Sequence, residues 1–195
     1  MARRRVVITG LGIVSPVGIG VPQAWSSIVA GKSGIARITR FDPSAFSSQI
    51  AGEVRGFDVT QYLSAKEARR MDTFMHYGIA AAIEAIKDAG IEAGPPNAER
   101  IGVNIGSGIG GLPMIEDTHA EYQKNGPRKI SPFFVPGTII NMVSGNLSIM
   151  YGFKGPNLAI VTACTTATHC VGESGRLIEY GDADVMIAGG AEATV

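Results

Sequence analysis

The strongest constraint on the fold is the alternation of short apolar runs with segments of helical period. Residues 101–108 (IGVNIGSG), 157–163 (NLAIVTA) and 183–192 (ADVMIAGGAE) are apolar runs of strand length. Residues 165–181 (TTATHCVGESGRLIEYG) separate the last two runs and carry a helical pattern. Because strands that alternate with helices are usually joined by crossover connections, the sequence predicts an α/β fold with a parallel-rich sheet covered by helices on both faces.

The beginning of the chain fits the same scheme. Residues 5–14 (RVVITGLGIV) are apolar and rich in β-branched side chains, which predicts a strand buried on both faces. Residues 21–34 (VPQAWSSIVAGKSG) predict a helix that begins near Pro22 and stops at Gly31. Three apolar side chains are expected along one face of that helix: Trp25, Ile28 and Val29. A strand followed by a helix is the start of an α/β unit.

The clearest helix is predicted over residues 71–90, with Asp72 as its N-cap and Gly90 at its end. Its apolar positions repeat at helical spacing: Met75, Ile79, Ala82, Ile83 and Ile86. A further helix is expected over 137–152, where three small residues would allow a neighbouring helix to approach closely: Ser144, Gly145 and Ser148. Residues 35–65 show no clear period and predict an irregular surface excursion.

Composition excludes several classes of protein. A chain of 195 residues with 45% hydrophobic residues can bury a sizeable core, so it is expected to form one domain or slightly more. Seventeen basic and seventeen acidic residues cancel, and no apolar run approaches the roughly twenty residues of a membrane span, so neither nucleic acid nor a membrane is expected as a partner. The glycine-rich stretches lack the GxGxxG and GxxxxGK[ST] spacings of nucleotide-binding loops.

Two cysteines and one histidine lie close together in residues 159–170 (AIVTACTTATHC). Cys164 and Cys170 are six residues apart, which on a helix separates them by roughly 120° and excludes a disulfide within it. The spacing does not suit a metal site, because zinc ligands usually come as closer pairs with a second pair nearby. His169 is expected on a different face from Cys164 and is a poor candidate base for it. Two cysteines without a disulfide framework indicate a reducing compartment, and we expect a cytoplasmic protein.

The two cysteines are expected in different surroundings. Cys170 shares a helical stripe with apolar residues, and a buried free cysteine packs like a small apolar side chain. Cys164 lies where a strand ends and a helix begins, where unpaired N–H groups and the helix dipole favour an anion. The residues alone leave two readings of Cys164 open, a nucleophile or a cysteine that merely ends a strand, because no base is visible beside it.

Five motifs together carry a family resemblance: RVVITGLGIVSPVG at the start, GSGIGGL at 106–112, KISPFFVPGTIINMVSG at 129–145, VTACTTATH around Cys164, and GDADVMIAGGAE after it. In this order they resemble the β-ketoacyl-acyl-carrier-protein synthases. The resemblance implies a thiolase-like fold and a 3-oxoacyl-acyl-carrier-protein synthase of fatty-acid elongation. It implies that Cys164 accepts an acyl group as a thioester, and that a decarboxylative Claisen condensation with malonyl-acyl-carrier protein follows. No cofactor and no metal are implied.

The resemblance also assigns a partner and binding residues. Lys66, Arg69 and Arg70 lie at helical spacing and resemble the patch that docks acyl carrier protein, with Arg128 and Lys129 supplied by the other subunit of a homodimer. From the residues alone, a solvated surface is the favoured explanation of such a run. Two further positions resemble acyl-pocket residues, Ile109 as a gate for chain length and Phe134 near the dimer interface. Ordinary core packing is the alternative for both.

The family's two catalytic histidines and supporting lysine lie in motifs of its second half, and this sequence does not contain those motifs. Its histidines are His76, His119 and His169, none in the family's contexts. Residues 1–195 are therefore expected to form the first of two similar halves, without the C-terminal half. The alternative is a non-catalytic fragment or partner subunit that binds carrier protein or dimerises without turnover. A thiolase acting on coenzyme A thioesters is disfavoured, because the flanking motifs match the synthase branch.

Overall fold

The structure is a computed structural model that describes residues 4–92 and 96–195. Its helices are α1 Val21–Val29, α2 Ala65–Ala68, α3 Thr73–Asp88, α4 Leu112–Asn125, α5 Phe134–Thr138, α6 Met142–Tyr151 and α7 Thr166–Tyr180. Its strands are β1 Val14–Ser15, β2 Gly18–Ile19, β3 Ile35–Arg37, β4 Ile50–Gly52, β5 Ile101–Gly106, β6 Asn157–Leu158 and β7 Val185–Gly190. Single 3₁₀ turns lie at Val59–Gln61, Ala98–Arg100, Pro127–Lys129 and Ala163–Thr165.

The central sheet is parallel and has the strand order β6-β5-β7. Strand β5 pairs with β7 over its full length, from Ile101 opposite Val185 to Gly106 opposite Gly190. Strand β6 pairs with the middle of β5 over two residues. The carboxyl ends of β5 and β7 therefore lie side by side at one edge of the sheet, which is where α/β proteins commonly place their ligand sites.

Helices cover both faces of this sheet, as the alternating pattern predicted. On one face, Ile101, Val103 and Ile105 of β5 belong to the apolar core formed with α3 and α6. On the other face, the Nδ2 atom of Asn104 donates a hydrogen bond of 3.1 Å to the backbone oxygen of Cys170 in α7. Successive residues of a strand point to opposite faces, so β5 is buried from both sides.

Helix α3 forms as the sequence predicted. Asp72 is its N-cap and accepts a hydrogen bond from the backbone N–H of Phe74. Phe74, Met75 and Ile79 are fully buried in the core, so the predicted apolar stripe faces the inside of the molecule. After the helix, Gly90 adopts a φ of 63°, a left-handed conformation that favours glycine.

The predicted first strand is not a strand in the structure. Of that segment only Val14 pairs, and it does so together with Ser15 in a two-residue antiparallel contact with β2. Residues 6–8 are exposed, with Ile8 reaching 77%. A cavity of about 280 Å³ lies between residues 6–12, α3 and β7. The segment is apolar, but a sequence pattern does not identify the part of the protein against which an apolar segment packs.

The N-terminal segment is held instead by α3 and by ion pairing. The backbone N–H of Leu11 donates to the carboxylate of Asp88 at 2.9 Å. A Cβ atom on Gly12 would lie 1.9 Å from the backbone oxygen of Ala81, so only glycine permits this approach to the helix. At the other end of the segment, Arg4 donates to Asp184 at 2.7 Å. The glycines of this segment therefore do not mark the ends of a strand, and they allow its backbone to lie close to α3.

The helix predicted over 137–152 is divided in two, because α5 ends at Thr138 and α6 begins at Met142. Ser144 was predicted to allow a neighbouring helix to approach closely, but it contacts the sheet. Its hydroxyl instead contacts the backbone nitrogen of Ile105 at 2.9 Å and the backbone oxygen of Leu158 at 2.7 Å. This fully buried serine therefore joins α6 to two strands of the sheet.

Three further predictions are corrected in part. Helix α1 forms, but its predicted apolar face is exposed, and its buried residue is Ala24. The strand predicted over 157–163 pairs only at Asn157 and Leu158. The irregular segment 35–65 contains the antiparallel pair β3 and β4, and the sequence reading missed helix α4 altogether.

Candidate active site

A cavity of about 420 Å³ opens at the carboxyl edge of the sheet. Its wall is built from the turn that follows β5, the turn that follows β7 and the start of α7, and it includes the side chain of Cys164. Small residues form much of this wall: Gly106, Gly108, Ala163, Ala167, Gly190 and Ala191. The structure therefore places the candidate nucleophile inside a cavity at the end of the parallel strands.

Cys164 occupies the 3₁₀ turn that leads into α7, and its side chain is exposed. The preceding residue, Ala163, has a φ of 50°, the positive value that non-glycine residues rarely adopt. Behind the turn, the backbone N–H of Thr162 donates to the hydroxyl of Thr166 at 2.9 Å. A strained residue held by its neighbours directly before an exposed thiol is an arrangement that clusters at functional sites.

Glycine at the end of β5 allows the segment before Cys164 to approach the sheet. A Cβ atom on Gly106 would lie 2.0 Å from the backbone oxygen of Ile160 and 2.6 Å from the Cγ2 atom of Thr166. No side chain can occupy that space without moving the backbone. The close approach of Gly106 therefore fixes how the residues on both sides of Cys164 lie against the sheet.

Cys170 and His169 lie outside the cavity of Cys164. Cys170 is fully buried under the sheet, and both cysteines are free thiols, as the helical spacing predicted. His169 is exposed on α7 and is not among the residues that line the cavity. His76 contacts the backbone oxygen of Ala68 at 2.9 Å through its Nε2 atom. In the described part of the chain, no histidine lines the cavity of Cys164.

Sequence reasoning missed the carboxylate of this cavity. Glu192 lines it and accepts hydrogen bonds from three consecutive residues, Ser107, Gly108 and Ile109. These residues follow β5, whereas Glu192 follows β7. The signal that could have revealed the contact is positional, because two adjacent parallel strands that both end in glycine bring their following turns together.

The two expected acyl-pocket residues are not equivalent. Ile109 lines the cavity beside Cys164, and its side chain is more than half exposed. Phe134 is half-buried at the start of α5 and is not among the lining residues described. The two are connected through the backbone, since the N–H of Gly111 donates to the oxygen of Thr138 in α5 at 3.0 Å.

The basic residues form a less regular patch than the sequence suggested. Helix α2 ends at Ala68, so Arg69 and Arg70 both lie beyond the helix. Lys66 and Arg69 are exposed, and Arg70 is partly buried. The guanidinium carbon of Arg70 lies 4.1 Å from the centre of the Phe133 ring, a cation–π contact. Arg128 and Lys129 are exposed in a 3₁₀ turn a few residues before Phe133.

Neither a metal-binding cluster nor a membrane-spanning helix is present among the described residues. In residues 4–92 and 96–195, no three histidine, cysteine, aspartate or glutamate side chains lie close enough to hold a metal ion. None of the helices in the same part of the chain combines the length and the apolar character needed to cross a bilayer.

Two solved structures that superpose closely on this chain contain ketosynthases. The ishigamide ketosynthase/chain length factor superposes with a TM-score of 0.84 at 30% identity, covering 99% of this chain and 48% of that one. A ketosynthase of a type II polyketide synthase, bound to a hexaketide and in complex with its acyl-carrier protein, gives a TM-score of 0.83 at 26% identity, covering 98% and 52%. The thiolase-like fold is thereby confirmed.

Sequence comparison agrees with the structural similarity. The chain is 58% identical over 192 residues to 3-oxoacyl-[acyl-carrier-protein] synthase 2 of Vibrio cholerae and 48% identical to the enzyme of the same name from Staphylococcus aureus. These alignments cover 98% of this chain but 46% of each relative, so the chain spans about half the length of the curated relatives. Residues 3–195 match the family model of the β-ketoacyl synthase N-terminal domain, and the chain therefore belongs to the β-ketoacyl synthase family.

Proposed function

We propose that this chain is the N-terminal half of a 3-oxoacyl-acyl-carrier-protein synthase of fatty-acid elongation, with Cys164 as its nucleophile. The observation that carries the proposal is the exposed thiol of Cys164, which follows a residue in a strained conformation and lines a cavity at the carboxyl edge of the sheet. An attacking thiol must reach its substrate, and Cys170 cannot, because it is fully buried.

The proposed chemistry uses the sulfur of Cys164 twice. Its thiolate attacks the carbonyl carbon of an acyl thioester on the carrier protein, the new carbon–sulfur bond forms, and the carrier's thiol leaves. Malonyl-carrier protein then loses carbon dioxide, and the resulting carbanion attacks the acyl group on Cys164. The new carbon–carbon bond forms, the carbon–sulfur bond to Cys164 breaks, and the thiolate is regenerated. A thiolate suits both steps because it is a strong nucleophile and a good leaving group.

The remaining catalytic groups are proposed to come from the rest of the protein. The backbone N–H of Cys164, at the entrance to α7, is in a position typical of an oxyanion donor. Decarboxylation needs further catalytic groups. We assign them to a second half of the protein, equivalent to the part of the curated relatives that does not align with residues 1–195. Residues 1–195 would then be the first of two similar halves that together complete one site.

Substrate and partner binding follow from the same assignment. The cavity of about 420 Å³, with Ile109 at its wall, is large enough for part of an acyl chain, and we propose Phe134 as a more distant pocket residue. Lys66, Arg69 and Arg70 would dock the acidic carrier protein, with Arg128 and Lys129 of a second subunit completing the patch in a homodimer. The two free thiols support a reducing compartment, the cytoplasm.

The test is the site of acylation in the complete protein. After incubation with carrier protein that carries an acyl group as a thioester, we expect one acyl group per chain on Cys164. Both cysteines lie in one tryptic peptide, since the nearest basic residues are Lys154 and Arg176, so fragmentation of the peptide must locate the label. The substitution Cys164→Ala should remove the label and the condensation activity, whereas Cys170→Ala should keep both.

Two outcomes would contradict the proposal. Acylation of Cys170 alone would show that the assigned nucleophile is wrong. Binding of carrier protein without acylation of either cysteine would instead indicate a non-catalytic partner subunit. A cysteine-directed inhibitor of the cerulenin type gives an independent readout, because it should modify Cys164 and protect it from acylation.

A further inference from the structure

Glu192 holds the turn that follows β5 by three hydrogen bonds. Its Oε1 atom accepts from the hydroxyl of Ser107 at 3.0 Å. Its Oε2 atom accepts from the backbone N–H groups of Gly108 at 2.8 Å and Ile109 at 3.1 Å. Hydrogen bonds to a charged acceptor are stronger than those between neutral groups. One side chain from the end of β7 therefore fixes three consecutive residues after β5.

The turn is also closed within itself. The hydroxyl of Ser107 donates to Glu192 and accepts from the backbone N–H of Gly110 at 3.0 Å. Ser107 is 2% exposed, so water cannot readily replace a partner that is lost. Removing the carboxylate would leave three donors without their acceptor, and the turn would have to rearrange to satisfy them.

The held turn lies directly against the residue that precedes the nucleophile. A Cβ atom on Gly108 would lie 2.7 Å from the Oε2 atom of Glu192 and 3.3 Å from the Cα atom of Ala163. Gly108 is therefore enclosed between the carboxylate and the strained residue before Cys164. Any displacement of the turn changes the space between Ile109 and Cys164, because both side chains line the same cavity.

We infer that Glu192 is a positioning residue that fixes the width of the cavity between Ile109 and Cys164, and so sets which acyl chains reach the thiol. This inference rests on the proposed function. Among the lining residues described, Ile109 is the largest apolar side chain, and its position is determined by the turn that Glu192 holds. Glu192 acts through Ile109 and does not itself react.

The decisive measurement compares acyl chain lengths in the complete protein. We expect Glu192→Ala to reduce the discrimination between short and long acyl-carrier-protein substrates, taken as the ratio of their kcat/KM values, by about tenfold or more. Glu192→Gln should keep that ratio within about threefold, because one amide oxygen can accept from both backbone N–H groups and the NH₂ group can donate to Ser107. Rescue by glutamine distinguishes geometry from charge.

Matched controls separate this role from general destabilisation. Glu173→Ala removes a carboxylate that forms an exposed ion pair with Arg176 on α7, and should leave the ratio unchanged. Ser107→Ala removes one of the three donors, and its chain-length ratio should lie between those of the wild type and Glu192→Ala. This variant can still test the inference if Glu192→Ala folds poorly. Thermal unfolding of each variant monitors folding.

Two results would overturn the inference. The first is a Glu192→Ala variant that folds and keeps the chain-length ratio of the wild type. The second is a Glu192→Gln variant whose chain-length ratio falls as far as that of Glu192→Ala. The proposed function fails separately, because its failure is the absence of acyl transfer to Cys164 in the wild-type protein. If Cys164 of the wild-type protein is acylated but the chain-length ratio does not change on substitution of Glu192, only the positioning role is wrong.

Discussion

The Oδ2 atom of Asp72 lies 2.8 Å from the backbone nitrogen of Met114, and this contact joins the start of α3 to the start of α4. The Oδ1 atom of the same carboxylate caps α3 through the N–H of Phe74. Met114 is in the first turn of α4, where backbone N–H groups lack partners within the helix. One buried carboxylate therefore satisfies the N-termini of two helices.

Replacing Asp72 should cost the stability of two caps. We expect Asp72→Ala to lower the free energy of unfolding by about 2 kcal/mol, since losing a single cap typically costs about 1 kcal/mol. Asp72→Asn should cost less, because its amide oxygen can still accept one of the two bonds. Urea unfolding of the complete protein measures both. A loss confined to a few tenths of a kcal/mol in Asp72→Ala would contradict the double cap.

Two glycines near Cys164 should respond to alanine in opposite directions. At Gly106 a Cβ atom would lie 2.0 Å from a backbone oxygen, so Gly106→Ala should destabilise the protein by about 2 kcal/mol and lower acylation of Cys164. Gly172 lies within α7 with open space around its Cβ position, so Gly172→Ala should stabilise by about 0.5–1 kcal/mol. Equal effects of the two substitutions would show that close approach does not govern Gly106.

A pH dependence is expected from Glu53, whose side chain is almost fully buried. The backbone N–H of Thr39, followed by its hydroxyl, lowers the pKa of Glu53 from 4.5 to about 2, and Arg55 makes a smaller contribution. Because the folded pKa is depressed, ionised Glu53 contributes stability above about pH 4.5, and this contribution is lost as the pH falls from about 4.5 towards 2.

Urea unfolding at several pH values tests this assignment. The stability difference between wild type and Glu53→Gln should narrow as the pH falls from about 5 to about 3. Thr39→Val should weaken the pH dependence. Arg55→Gln should largely keep it, because the guanidinium of Arg55 lies 3.6 Å from the carboxylate and makes the smallest contribution to the lowered pKa of Glu53. A difference that is constant over this range would contradict the lowered pKa of Glu53.

The proposed docking patch predicts that charge changes there affect the binding of carrier protein and not the chemical step. In the complete protein, Lys66→Glu and Arg69→Glu should each raise the KM for acyl-carrier protein about tenfold with little change in kcat, because like charges repel the acidic partner. Added salt should weaken the wild-type interaction. Lys87→Glu is the control, since Lys87 lies near the far end of α3, about 21 Å from its start. An equal effect at Lys87 would show that the patch has no special role.

Local patterns predicted those elements whose signals lie within one segment. Helix α3 carries a cap, an apolar stripe and a terminal glycine in sequence order, and β5 and β7 are short, largely apolar runs. The fully buried position of Cys170 followed from helical spacing in the same way. These predictions succeeded because the information is contained in neighbouring residues.

Predictions that depended on a distant partner were wrong or incomplete. Residues 5–14 have the composition of a strand, but their glycines are used for contact with α3. Ser144 looked like a helix-packing residue and instead binds the backbone of β5. Helix α4 has weak amphipathic character, and part of its N-terminal cap is supplied by Asp72, more than 40 residues earlier.

The sequence by itself determined the α/β class of the fold, the separation of the two cysteines, and the placement of Cys164 between a strand and a helix. Only the tertiary structure decided that Glu192 holds the turn of Ile109, because the parallel pairing of β5 and β7 brings together residues more than 80 positions apart. Periodicity records which face of a segment avoids water. The partner that covers that face, and the side chains that meet there, depend on contacts between segments that are distant in the chain.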